Sequence, residues 1–293
     1  MPFQARVMQQ NDTSLKQIRL DKMIHNNETE AIGGVVPYPH SFDCVLYHGD
    51  CLVEMDKIAD KSVDLILTDP PYGITACKWD SVIDFDLMWK QLNRIIKKNG
   101  AIVLFGSEPF SSALRMSNIK NYKYDWVWQK DKATNHLNSK KMPMRRNEII
   151  SVFYEKQCLY NPQLTKKDPK NIRPPTIKRK QVENYGAMTA DSVRQIPSDM
   201  SYPNETLKFR GCFGDKGKSL HPTQKPVALM EYLIKTYTNE NETVLDFTMG
   251  SGTTGVACKN LNRKFTGIEK DGKDFKIAQE RISLAPNGLG NCD

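Results

Sequence analysis

From Phe42 onward, short apolar runs alternate with segments whose apolar residues recur at helical spacing. Cys44-Val45-Leu46-Tyr47 predicts a strand that ends at His48-Gly49-Asp50. Val63 to Thr68 is almost wholly apolar, as expected of a central strand buried on both faces. Phe85, Met88, Trp89, Leu92, Ile95 and Ile96 predict a helix over 84–98, closed by Asn99-Gly100 as its C-cap. Ala101 to Phe105 reads as the next buried strand, and 109–116 as a helix with Pro109 near its first turn. Two more strands are expected over 124–129 and 148–154. Periodicity fades from Lys156 to Lys218. It returns as a helix over 226–237, strands at 243–246 and 265–269, and a last helix over 274–284. Strands alternating with helices predict an α/β fold, a Rossmann-like, doubly wound and mostly parallel sheet. Residues 1–41 read as a polar arm or linker, 42–155 and 219–293 as two halves of one domain, and 156–218 as a loop-rich insertion.

Charge sharpens the picture of the insertion. The chain of 293 residues carries a net charge of +8. Thirteen Lys and Arg against six Asp and Glu fall between Lys156 and Lys218. A localised basic surface is the footprint of a polyanion, and nucleic acid leads because no basic amphipathic helix suggests a membrane. No run approaches 18 apolar residues, and the first ten residues lack a signal-peptide core, so a cytoplasmic protein is expected. The seven cysteines are scattered without a CxxC pair, which predicts reduced thiols and no metal site.

Two turns carry candidate chemistry. Asp69-Pro70-Pro71-Tyr72 follows the Val63–Thr68 strand, so a carboxylate, a rigid turn and an aromatic ring stand at its carboxyl end. Open α/β sheets place their ligands there. About 180 residues later, Gly250-Ser251-Gly252-Thr253-Thr254-Gly255 lies between a strand and a helix, with Glu269 ending the next strand. Glycines admit a ligand close to the backbone, a helix N-terminus receives an anion, and an acid accepts from a ribose diol. That pattern fits NAD, FAD or S-adenosylmethionine, and it also occurs as a purely structural turn. Hydride transfer calls for neither Asp-Pro-Pro-Tyr nor a basic insertion, whereas methylation of a nucleobase amine accounts for both. Such an amine is a poor nucleophile because its lone pair is delocalised into the ring. Two acceptors, the Asp69 carboxylate and the Pro70 carbonyl, would hold its N–H groups while Tyr72 stacks on the base.

These motifs, in this order, resemble the amino-methylating DNA methyltransferases of the adenine-N6/cytosine-N4 group, in the permuted arrangement often called the β class. The likeness covers roughly 42–285. It makes 42–155 the catalytic half, 156–218 the target-recognition region and 219–293 the cofactor half. By this resemblance Asp69, Pro70, Pro71 and Tyr72 are catalytic. Asp50, Cys51, Asp69, Thr223, Gln224, Lys225, Asp246, Phe247, Thr248, Gly250, Ser251, Gly252, Thr253, Thr254, Glu269 and Lys270 would hold S-adenosylmethionine, with Lys225 near its methionine end. Phe247 and Thr248 stand where that family usually has Pro and Phe. The implied partners are double-stranded DNA and a possible second copy of the chain, with no membrane and no metal. The implied activity is methylation of a flipped adenine at N6. Cytosine-N4 methylation and a catalytically inactive DNA-binding relative are the alternatives. Cytosine-C5 chemistry is set aside because no cysteine follows a proline.

Several residues have two readings. Lys178, Arg179 and Lys180 are expected to meet DNA phosphates, though a charge run is often only a solvated face. Tyr185, Tyr202, Phe209 and Phe213 suit either base contacts or a small core. Cys77 and Trp79-Asp80 suit either a lid or packing. Asn135, His136 and Asn138, just before Lys140-Lys141, are expected near DNA.

Overall fold

Residues 35–37, 42–74, 80–172, 196–211 and 224–286 are described in the computed structural model. Val35–Pro37 is a short strand, and from residue 42 onward the strands are β1 (Cys44–His48), β2 (Val63–Thr68), β3 (Ile96–Gly106), β4 (Tyr122–Thr134), β5 (Arg145–Phe153), β6 (Thr165–Lys166), β7 (Met200–Ser201), β8 (Thr206–Lys208), β9 (Thr243–Asp246) and β10 (Lys264–Glu269). The helices are α1 (Cys51–Glu54), α2 (Phe85–Ile95), α3 (Phe110–Ser117), α4 (Val227–Tyr237), α5 (Thr253–Asn260) and α6 (Gly272–Leu284).

The main sheet runs β1-β10-β9-β2-β3-β5-β4-β8. From β1 through β3 all pairings are parallel. Only β5 runs against its neighbours β3 and β4. The expected mostly parallel sheet is therefore present, with one reversed strand. Strand order reverses direction between β9 and β2: the chain moves outward to β10 from one and to β3 from the other. Such a switch point opens a crevice above the strand ends.

Alternation along β2 explains the layers. Leu65 and Leu67 point to one face and Ile66 to the other, and all three are fully buried. The first face packs on Leu229, Leu233 and Ile234 of α4, Ala257 of α5 and Ala278 and Ile282 of α6. The second packs on Met88, Trp89 and Leu92 of α2 and on Phe110 and Leu114 of α3. Helices thus cover both faces, and both halves of the sequence build one sheet.

Some boundaries differ from expectation. Helix α2 ends at Ile95 instead of running to Lys98, and its cap residue Ile96 is extended. Ile96 pairs with Val63, and the next paired residue on β2, Leu65, meets Ala101. The intervening bulge sends Lys97 to Asp64 at 2.8 Å. A Cβ on Gly100 would lie 2.7 Å from the Asp64 carbonyl, so glycine serves close strand packing and not a helix cap. Helix α6 begins at Gly272 because Asp271 accepts hydrogen bonds from the Lys273 and Asp274 amides. Within the insertion, β8 pairs with β4 and buries Leu207, so part of 156–218 belongs to the main sheet.

Candidate active site

Adjacent strands bring the two sequence motifs together. β9 and β2 pair through Val244–Leu65 and Leu245–Ile66. Beyond this pairing the loops are stitched by side chains. Thr68 Oγ1 donates to Asp246 Oδ1 at 3.0 Å and accepts from the Phe247 amide at 3.1 Å. Thr248 Oγ1 donates to the Asp69 carbonyl at 3.1 Å. Asp69, Tyr72, Gly250 and Glu269 line a single cleft of about 890 Å³.

Those contacts account for the two residues that depart from the family pattern. Phe247 is almost fully buried among the α2-side core residues, so its ring closes the cleft floor and fills the core. A proline there would lack the amide that Thr68 accepts. Thr248 ties the glycine loop to the carbonyl of Asp69.

Each glycine of the turn has its own reason. Gly252 has φ +76°, and an added Cβ would meet Ala278 atoms at 2.9 Å. Gly255 lies against Ile282 and Phe265, both closer than 3 Å to such a Cβ. Gly250 has φ +50°, and its Cβ would meet nothing within 4 Å. Two glycines therefore serve packing, and Gly250 faces open space in the cleft. Gly252→Ala should lower unfolding free energy by about 2–4 kcal/mol, from the left-handed backbone plus overpacking. Gly250→Ala should cost only about 1 kcal/mol, the backbone part alone. Urea unfolding of both variants checks this, and equal losses would refute the assignment.

Glu269 and its neighbours form the opposite wall. Its Oε2 accepts from the Gly250 amide at 2.8 Å and its Oε1 from the Asp271 amide at 2.7 Å. Each oxygen keeps a lone pair for a further donor. Burial pushes this carboxyl up, and the backbone donors oppose it. Asp50 caps α1 through the Leu52 amide and pairs with Lys270 at 3.0 Å, which holds its carboxyl below the usual range. Burial drives the Cys51 thiol up to about 12, so it stays neutral at the cleft. Asp246 is buried, and burial pushes it up to about 7 against donors from Thr254, Thr68 and the Thr248 amide. Arg281 of α6 braces the loop by donating to Ser251 Oγ at 2.8 Å.

The Asp69 side of the cleft is a charge cluster that the sequence did not announce. Lys225 Nζ pairs with Asp69 Oδ2 and lies 2.9 Å from Glu148 Oε1. Lys130 Nζ is 2.7 Å from Glu148 Oε2. The Tyr72 hydroxyl lies against Asp69 Oδ1 and 3.0 Å from Glu148 Oε1. Two carboxylates thus face two ammonium groups. Burial would raise Glu148, but Lys225 and Lys130 hold it down to about 2. Burial raises Asp69, Lys225 opposes this, and Glu148 adds to it. Burial would lower Lys225, but the two carboxylates keep it firmly protonated. Lys225, expected at the methionine end of a cofactor, has its ammonium committed to this cluster. The Phe105 ring lies 5.0 Å beneath it.

Asp80 also takes a definite place. Its carboxylate accepts from the Tyr72, Gly73 and Ile74 amides at 2.7, 2.8 and 3.0 Å. It shapes the turn after the double proline, while the Tyr72 ring packs on Phe110 at 5.1 Å between centroids. Thr223, Cys77, Trp79, Tyr185, Phe213 and the Lys178-Arg179-Lys180 run lie outside the described residues. Tyr202 is exposed, and Phe209 packs against the core beside Tyr232. Among the described residues no group of three His, Cys, Asp or Glu side chains could hold a metal, and no helix is long and apolar enough to cross a membrane.

Comparison with known proteins places this arrangement. A type II methyltransferase of Lactococcus lactis subsp. cremoris, M2.LlaDCHI, is 28% identical over 280 residues, covering 86% of this chain and 94% of that protein. The crystal structure of the M1.HpyAVI–SAM complex superposes with a TM-score of 0.56 at 27% identity, covering 82% of this chain and all of that one. The cytosine-N4-specific PvuII DNA methyltransferase shares the fold, with a TM-score of 0.57 at 16% identity over 82% of this chain and 86% of that one. The model of the N6/N4 DNA methylase family matches residues 63–280, which include both turns, the charge cluster and the strand switch point, and the chain belongs to that family.

Proposed function

We propose that this DNA methyltransferase moves a methyl group from S-adenosylmethionine to the N6 amine of an adenine in double-stranded DNA. The observation that carries this is the shared cleft, in which Asp69-Pro70-Pro71-Tyr72 and the glycine turn stand on neighbouring strand ends. S-adenosylmethionine supplies an electrophilic methyl group on a sulfonium. The residues fit such a molecule in two respects. Gly250 opens onto free space, and Gln224 Oε1, buried beside Lys225 in the cleft wall, accepts no hydrogen bond from the described residues. Backbone at Gly250 and Ser251, the spare acceptors of Glu269, Asp50 and Gln224 would hold it.

The chain's own work is then positioning. Asp69 and the Pro70 carbonyl accept the two amine N–H groups, so the nitrogen lone pair turns toward the incoming carbon. Asp80 fixes the turn that carries the carbonyl. Tyr72, which lines the cleft with its ring against Phe110, would stack on the base. A paired amine is out of reach, so the target nucleotide leaves the stack first. Adenine is favoured over cytosine because the tetrapeptide begins with Asp, where cytosine-N4 enzymes more often carry Ser. Cytosine-N4 methylation is the second reading, since a cytosine-N4 enzyme has the same fold.

Single-molecule sequencing of DNA from cells expressing the chain tests both at once. N6-methyladenine at a defined site is expected. N4-methylcytosine would shift the assignment, and no label transferred to DNA in a methyl-transfer assay would end it. Lys178, Arg179 and Lys180 are proposed phosphate contacts. Reversing their charge should weaken binding across sequences and flatten its salt dependence, and an unchanged salt slope would remove them from the interface.

A further inference from the structure

The β4–β5 hairpin is the element that the chemistry above leaves unexplained. β5 runs antiparallel to β3, so its start and the end of β4 lie at the same edge of the sheet as Asp69. Gly106, the last residue of β3, pairs with Ile149. The hairpin continues to the Thr134–Arg145 pair, four residues beyond. At strand rise its legs stand roughly 13 Å past the cleft floor. Lys132, Thr134, His136, Arg145 and Asn147 line the cleft, so the hairpin forms one side of its mouth.

The tip is a hydrogen-bonded turn. Asn135 takes a left-handed conformation at φ 72°, and a short 3₁₀ turn spans His136–Asn138. Asn138 Nδ2 donates to Asn135 Oδ1 at 2.8 Å, and the Lys141 and Met142 amides donate to the Asn138 carbonyl at 2.8 and 3.0 Å. Arg146 braces the legs by donating to the Lys130 and Asp131 carbonyls. On top of this hydrogen-bonded turn stands Leu137, fully solvent-exposed at 101%, the most exposed large apolar side chain among the described residues. Around it, residues 130–146 hold six Lys and Arg against one Asp. Singly exposed apolar residues are common, but this one stands at the tip of a basic hairpin beside the cleft.

We infer that the hairpin tip is a DNA-insertion element, with Leu137 the wedge that enters the base stack vacated by the target nucleotide. The inference deepens the proposed activity and rests on it. A basic arm is drawn to the phosphates, and its apolar tip fills the gap in the stack. Proteins that kink or open duplexes insert Leu, Phe, Ile or Met in this manner. The wedge holds open a base pair that closes again without it, so its benefit depends on the target being paired.

That dependence supplies the test. Kinetics are compared for wild type, Leu137→Ala and Leu137→Phe on two duplexes carrying the methylated site. One is fully paired, and the other has an abasic position opposite the target. On the paired duplex Leu137→Ala should lose about 10- to 100-fold in kcat/KM, and Leu137→Phe should stay within about threefold of wild type. On the abasic duplex Leu137→Ala should recover to within about threefold. Equal loss on both duplexes, or no loss on either, would overturn the wedge while leaving the methyltransferase assignment standing. A wild-type chain that methylates neither duplex would bring down the proposed activity and the wedge with it. The exposed position makes misfolding a minor concern, and an unchanged melting curve for Leu137→Ala documents that.

Discussion

Asp69→Ala should reduce methyl transfer by at least 10²–10³-fold, the cost of deleting one positioned hydrogen-bond partner of a reacting group. The structure makes this substitution a cleaner probe than the motif alone suggests. Truncating Asp69 does not orphan a buried charge, because Lys225 keeps Glu148 at 2.9 Å and Tyr72 keeps the same oxygen at 3.0 Å. The link from Thr248 to the residue 69 carbonyl is a backbone contact that alanine preserves. The glycine loop should therefore stay in place, and affinity for S-adenosylmethionine should remain within a few fold. Single-turnover rates and equilibrium cofactor binding, measured on the same preparation, separate the two effects. A variant within tenfold of the wild-type rate would refute the role of the carboxylate. A variant that no longer binds the cofactor would show that Asp69 acts through the fold of the cleft.

The fold was legible where hydrophobicity is contiguous. β2 and β9 are runs whose residues are nearly all buried, so their extents follow from composition alone. The glycine turn was legible because its spacing sits between a strand and a helix. The end of α2 and the start of β3 were not, because Asn99-Gly100 has the composition of a helix cap. What decides there is a non-local clash, between a Cβ at Gly100 and the Asp64 carbonyl. The outer part of β4 was missed for a related reason. Lys130-Asp131-Lys132 lacks apolar alternation, since that leg is only half-buried and lines the cleft with charged side chains.

At the site, the limits are of the same kind. Glu148 read only as the first residue of a strand. Its partners Lys130 and Lys225 lie on other elements, one of them 77 residues on, and nothing local records the pairing. One signal was available: an acid heading an otherwise apolar strand must find a cation when the strand is buried. Asp80 read as a lid or packing residue because an Asx-type contact across a turn leaves no periodic trace. Lys225 lines the cleft, and its burial against Phe105 and two carboxylates is visible only in three dimensions.

Lys225→Met is the second substitution with a large expected effect, and its size should depend on pH. Methionine matches the stem of lysine but removes the charge that balances Asp69 and Glu148. Breaking a buried ion pair on one side costs about 3–5 kcal/mol, because the remaining charges stay desolvated. Lys130 still serves Glu148 in the variant. Asp69 then loses its cation while burial and the Glu148 charge continue to push its carboxyl up. The two acids, bridged by the Tyr72 hydroxyl, titrate together and take up one proton more readily than wild type does. A carboxyl raised above its unfolded value of about 3.9 stabilises the fold most below that value. The contribution is lost as pH rises through the folded pKa. Measured by urea unfolding, the deficit relative to wild type should be largest near pH 8 and should shrink toward pH 5. Wild type shares the gain from Asp246, raised to about 7, but should gain less from Asp69, because Lys225 opposes the rise of that carboxyl. A deficit that is constant across this range would mean that Lys225 contributes packing and not charge, and the cluster would lose its place beside the reacting amine.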